Sequence, residues 1–175
     1  MNNIMRNGIL IAMALALSFA ERWLPLGILV PLPGIKLGLA NVVTMFALFF
    51  FNWQSALTVT VLRCLLASIF YGGMISLALS LSGGLLALLV MAALKKINEK
   101  WISLIGISIG GAAAHNLGQV IMAAILLQSQ AVLYYLVILL LTSVVTGLLT
   151  GTIAQYLFSK LQRIGFLKLL KGGSP

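Results

Sequence analysis

Six apolar runs alternate with short polar breaks along the chain, at residues 4–24, 35–51, 54–71, 74–94, 102–127 and 132–158. Each is about as long as the roughly 20 residues a helix needs to cross a bilayer at about 1.5 Å per residue. The breaks carry turn chemistry. Residues 25–34 are rich in Pro and Gly, Asn52-Trp53 is a tight connection, and Gly72-Gly73 forms a turn. Residues 95–101 are charged, and 128–131 form a short turn. The pattern predicts an all-α integral membrane protein of six transmembrane helices in a single domain spanning residues 1–175.

Polar residues inside these runs are the exceptions that carry information. The fifth run contains Gly110-Gly-Ala-Ala-Ala-His115-Asn116-Leu-Gly118-Gln119. His115, Asn116 and Gln119 share one broad helix face at spacings of three and four. They fall near mid-membrane, where polar groups are costly unless they face a partner or a cavity. His115 is expected either to bond within the bundle or to face a ligand. It has no second His, Cys or acid at metal-ligand spacing, so no metal site is expected.

Arg63 stands halfway along the third run, about 13 Å from either end at the usual rise. That is too deep for easy snorkelling. Its structural role would be to cap carbonyls or to bond Asn41 or Gln119. Lys36 opens the second run and Arg22 ends the first, and either also suits plain interfacial anchoring.

The chain has two acidic residues against eleven Lys and Arg. Glu99 belongs to the charged loop, so only Glu21 is placed to neutralise one of Arg22, Lys36 and Arg63. At least one basic group is then left beside the polar helix face. A half-buried cation without a counter-ion is expensive, and a carboxylate or phosphate that comes and goes is the simplest remedy.

Composition agrees with the membrane reading. The chain is 62% apolar and 7% charged, against about 25% charge in soluble domains, and its mean hydropathy is +1.16. The net charge of +9 does not point to nucleic acid, because the basic residues cluster at span ends and tails, where they serve topology and anionic-lipid contact. Arg6, the Lys95/Lys96/Lys100 loop, Lys160, Arg163, Lys168 and Lys171 fall on one side, which places both termini in the cytoplasm. No cleavable signal peptide is expected. The single Cys64 reads as a small core residue. No enzyme motif appears: there is no Asp-rich pair for magnesium-diphosphate chemistry, no Gly-Lys-Ser/Thr phosphate loop and no nucleophile–base pair. Neither catalysis nor a cofactor is expected, and the chain has no means to hydrolyse ATP by itself.

Small residues form two stripes. Gly8, Ala12, Ala16 and Ala20 recur every four residues on the first run, which suits either packing within the chain or docking of another membrane protein. Ser143, Gly147 and Gly151 line the sixth run and are expected to serve internal contacts.

The segments Pro33-Gly-Ile-Lys36-Leu-Gly-Leu-Ala-Asn41 and Ala114-His115-Asn116-Leu-Gly118-Gln119, with Arg63, residues 80–84 and Thr146-Gly147 through Gly151, strongly resemble a bacterial membrane family labelled Gx transporter or heptaprenyl diphosphate synthase component I. That family is in turn similar to the S components of energy-coupling-factor (ECF) transporters. The resemblance implies a six-helix protein of the bacterial cytoplasmic membrane that binds a small molecule from outside, such as a vitamin. It would dock on a shared transmembrane coupling subunit driven by two ATPase subunits. On this reading Lys36 and Arg63 are expected to attract an anionic group of the substrate, and Asn41, His115, Asn116 and Gln119 to fix its orientation by hydrogen bonds. Ala12, Ala16 and Ala20 match the docking pattern of S components, and residues 25–34 match their gating loop. A different function is a membrane subunit that assists prenyl diphosphate synthesis or a quinone-linked redox assembly.

Overall fold

The protein is described here from a computed structural model, which describes residues 3–23, 39–97 and 103–163. The described residues are helical almost throughout. Helix α1 (Asn3–Ala20) continues as a 3-10 turn over Glu21–Trp23. Helix α2 (Asn41–Phe50) is followed by α3 (Trp53–Ala67), a π-helical turn over Ser68–Gly72, and α4 (Gly73–Lys96). Helix α5 (Leu104–Leu127), a 3-10 turn over Gln130–Tyr134 and α6 (Tyr135–Arg163) complete the set.

Local sequence explains the breaks. The side chain of Asn52 accepts a hydrogen bond from Ser55 N at 2.7 Å and so caps α3. Ser103 caps α5 in the same way, accepting from Gly106 N at 3.1 Å. Gly73 has φ +69°, a backbone region that glycine enters without steric cost, and the chain reverses there as the glycine pair predicts. The reversal is visible in the contacts. Cys64 Sγ donates to the Ser80 carbonyl, and Gly84 packs against Thr60. Helices α3 and α4 are therefore antiparallel arms of one hairpin.

Among the described residues, four helical stretches are long and apolar enough to cross a membrane: Asn3–Ala20, Trp53–Lys96, Leu104–Leu127 and Gln130–Leu161. The 44-residue stretch is the α3–α4 hairpin. The expected boundaries shift in two places. The second run, predicted at 35–51, is helical only over Asn41–Phe50 within the described residues. Ten residues at about 1.5 Å each reach about half of a roughly 30 Å hydrocarbon core. The sixth run opens as a 3-10 turn, and its α-helix extends past residue 158 to Arg163.

Helix α2 sits inside the bundle, with Val43, Thr44, Met45, Phe46, Ala47 and Leu48 all buried. A helix that is apolar on every side belongs in such a position. Its C-terminal rings meet the end of α6, with Phe50 and Phe158 centroids 4.5 Å apart. Arg6 of α1 lies 4.0 Å above the Phe51 ring. The N-terminus of α1 and the C-termini of α2, α4 and α6 thus share one end of the bundle, and Arg6, Lys95, Lys96, Lys160 and Arg163 gather there. At Gly147 a Cβ would lie 2.5 Å from Ile109 Cα, so the Ser143–Gly147–Gly151 stripe seats α6 against α5, as expected.

Large apolar side chains point outward along the long helices, among them Ile9 and Met13 on α1 and Val137, Leu141, Val145 and Leu149 on α6. In a lipid solvent such exposure costs nothing, because acyl chains are as apolar as the side chains.

Candidate ligand-binding site

Arg63 lies on the buried face of α3, only 2% exposed. Its Nη2 donates to Asn41 Oδ1 at 3.0 Å and its Nη1 to Ser18 Oγ at 3.4 Å. Of the two partners the sequence offered for Arg63, it bonds Asn41. Three helices, α1, α2 and α3, therefore meet at one guanidinium. Space for it comes from α4, where a Cβ on Gly84 would sit 3.3 Å from Nη2. Arg63 Nε and Asn41 Nδ2 are buried with no hydrogen-bond partner. No carboxylate among the described residues pairs with the guanidinium.

Glu21 was the one acid placed to neutralise it. That residue is 2% exposed, and its Oε1 accepts from Leu39 N at 2.6 Å. The carboxylate thus tethers the turn that starts α2. The side chain of Arg22 and all of Lys36 and residues 25–34 lie outside the described residues.

Asn41 also borders a small enclosed cavity with Ser108 and Thr150, whose hydroxyls are 2.9 Å apart. Val42, Met45, Met91 and Ala112 complete its wall. Its water-accessible volume is about 10 Å³, room for about one water and not for a metabolite.

His115 and Gln119, one turn apart on α5, bond each other through their Nε2 atoms and are 1% and 0% exposed. They back onto Gly83, where a Cβ would fall 2.7 Å from the His115 carbonyl and 2.9 Å from Gln119 Cγ. Asn116 is fully buried and turns toward α6. Its Nδ2 donates to the Leu139 carbonyl at 2.8 Å, while its Oδ1 has no partner.

The expected site residues thus form two groups. Arg63 and Asn41 bond each other beside Gly84, and His115 and Gln119 bond each other beside Gly83. These glycines are adjacent on α4, so the groups occupy flanks about 100° apart around that helix, with no hydrogen bond between them. Asn116 joins neither pair. Sequence reasoning missed Ser18, Ser108 and Thr150. Ser18 had a signal: it follows Leu10 and Ala14 at spacings of four, on the buried face of α1.

Ala12, Ala16 and Ala20 are exposed, and so is Gly8, with open space around its Cα. Of the two uses proposed for this stripe, packing within the chain is not made among the described residues.

A bundle of long apolar helices with an amide- and hydroxyl-bound cation at its centre defines a multi-pass membrane protein. The chain belongs to the family described as heptaprenyl diphosphate synthase component I, whose model matches residues 10–157. The matched region includes all the residues of both groups. No curated protein and no solved structure matches the chain.

Proposed function

We propose that this protein is the non-catalytic substrate-binding subunit of an ECF-type importer for a small anionic metabolite. The carrying observation is Arg63, buried beside Asn41 with Nε and the Asn41 amide nitrogen still unbonded and no acid among the described residues paired to it. A buried guanidinium in this state costs several kcal/mol less once a carboxylate or phosphate completes its hydrogen bonds. Lys36 and Arg63 would hold the anionic group, and Asn41, His115, Asn116 and Gln119 would fix its orientation. Residues 25–34 would close over the ligand. Six membrane crossings with both termini in the cytoplasm of a bacterial cell fit the basic end formed by Arg6, Lys95, Lys96, Lys160 and Arg163. Transport energy would come from a coupling subunit and two ATPase subunits, with the coupling subunit docked on the Ala12, Ala16 and Ala20 stripe.

The family description favours a second reading, a membrane subunit that assists prenyl diphosphate synthesis. The same buried cation would then hold a diphosphate. Affinity purification from the native membrane separates the two. A transmembrane subunit with ATPases supports the importer, and a soluble prenyltransferase in their place contradicts it.

A further inference from the structure

The small cavity beside Asn41 lies where α2, α5 and α6 meet, with Asn41, Ser108 and Thr150 as its polar lining and Ala112 on its edge. Its hydrogen-bonding groups can be assigned one by one. Every nitrogen of a guanidinium is a donor, so Asn41 must present Oδ1 to Arg63, at 3.0 Å. That leaves Nδ2, which has no partner although the Asn41 side chain is only 8% exposed. Thr150 Oγ1 gives its one hydrogen to the Thr146 carbonyl at 2.7 Å. The 2.9 Å contact between the Ser108 and Thr150 hydroxyls is therefore donated by Ser108. Both hydroxyl oxygens keep lone pairs and have no hydrogen left to give. The cavity thus has a donor on α2, acceptors on α5 and α6, and a volume of about 10 Å³, which is about one water.

We propose that this cavity binds a single water, which accepts from Asn41 Nδ2 and donates to Ser108 Oγ and Thr150 Oγ1. Three polar partners are the usual number for a buried water. Other occupants suit the lining less well. An alkali cation would meet the Nδ2 hydrogens and would lie behind an amide that already holds a guanidinium. A dry void would leave a buried donor unsatisfied. Bound there, the water ties the Arg63–Asn41 pair to α5 and α6. It uses one Nδ2 hydrogen and leaves the other for a ligand, so the inference is independent of what Arg63 binds.

Water-edited solid-state NMR reads the site directly, using the full-length protein with isotope-labelled asparagine in phosphatidylcholine bilayers. The Asn41 side-chain signal is the one absent from Asn41→Ser, and the exposed Asn52 is the positive control. The proposal expects magnetisation transfer from water to Asn41 Nδ2 in the parent protein. Ala112→Ser and Ala112→Cys each add one heavy atom at the cavity wall and should each abolish the transfer. A serine hydroxyl can take over the water's hydrogen bonds, whereas a thiol is a weak donor and acceptor. Ala112→Cys should therefore melt about 2–4 °C below Ala112→Ser, the shift that one hydrogen bond makes in a chain of this size. No transfer in the parent overturns the proposal, and that measurement stands without either variant. Transfer that requires sodium in the buffer also overturns it and assigns the cavity to a cation. So does Ala112→Cys melting above Ala112→Ser, the order expected of a dry cavity, where a sulfur fills apolar space.

Discussion

Arg63 Nη2 and Asn41 Oδ1 lie 3.0 Å apart at the point where α3 crosses the first turn of α2. The bond joins the most deeply buried cation among the described residues to the first residue of α2, and it leaves Arg63 Nε and Asn41 Nδ2 without a hydrogen-bond partner. The functional reading turns on this unused capacity.

Removing the charge while keeping a polar side chain should therefore separate binding from folding. Arg63→Gln is expected to remain folded, because it deletes a buried charge that has no acid partner among the described residues, and to lose about 10- to 100-fold in ligand affinity, the range for a charge-assisted hydrogen bond. Arg63→Lys should recover only part of that loss, since an ammonium cannot reproduce the planar fork. Isothermal titration in detergent with the ligand eluted from the native protein measures both.

Close approach of α4 and α5 depends on absent side chains. A Cβ on Gly118 would stand 2.8 Å from the Ser82 carbonyl, and one on Gly83 2.7 Å from the His115 carbonyl. Both obstacles are backbone, so the helices must separate. Gly118→Ala and Gly83→Ala should each destabilise by about 1–3 kcal/mol, the usual cost of overpacking. Thermal unfolding in detergent reports the loss. At Gly84 the nearest atom is the Thr60 methyl at 2.9 Å, a side chain that can move, so Gly84→Ala should cost less in stability and more in ligand affinity.

The two faces of α1 should respond oppositely to enlargement. Ala14 is 0% exposed, and Ala14→Leu is expected to destabilise by about 1–3 kcal/mol. Ala12→Leu and Ala16→Leu lie on the exposed stripe and should stay within about 0.5 kcal/mol of the parent. On the importer reading they should still abolish recovery of a membrane partner. Stability and co-purification measured on the same samples distinguish the two effects.

Asn116 bridges α5 to α6 through the Leu139 carbonyl. Interhelical hydrogen bonds in membranes contribute about 0.6–2 kcal/mol, so Asn116→Ala should lower stability by about that amount. If Asn116 Oδ1 takes part in binding, affinity should fall as well, and unchanged affinity would remove Asn116 from the site while leaving Arg63 in it.

Most of the helical layout was legible because hydrophobic length and turn chemistry act locally. Gly72-Gly73 marked the hairpin, Asn52 marked the start of α3, and the Ser143–Gly147–Gly151 stripe marked a close contact. The limits of α2 were not legible, because apolar residues continue on both sides of it and nothing in residues 35–40 distinguishes helix from turn by composition. Tertiary facts were hidden for a different reason. That Glu21 holds Leu39 N, that Ser18 reaches Arg63 and that Gly83 and Gly84 seat separate groups all depend on which helix faces which. Periodicity gives a helix its buried face and leaves its neighbour unnamed. His115 and Asn116 show this most plainly. They are adjacent in sequence, yet one bonds within α5 and the other reaches α6.

Native mass spectrometry of the protein purified without added ligand tests the central claim most directly. The account predicts a small anionic molecule bound to the parent protein and absent from Arg63→Gln prepared identically. An identical bound mass in both proteins, or a parent protein that neither carries nor acquires any anionic metabolite from a cell extract, would contradict it.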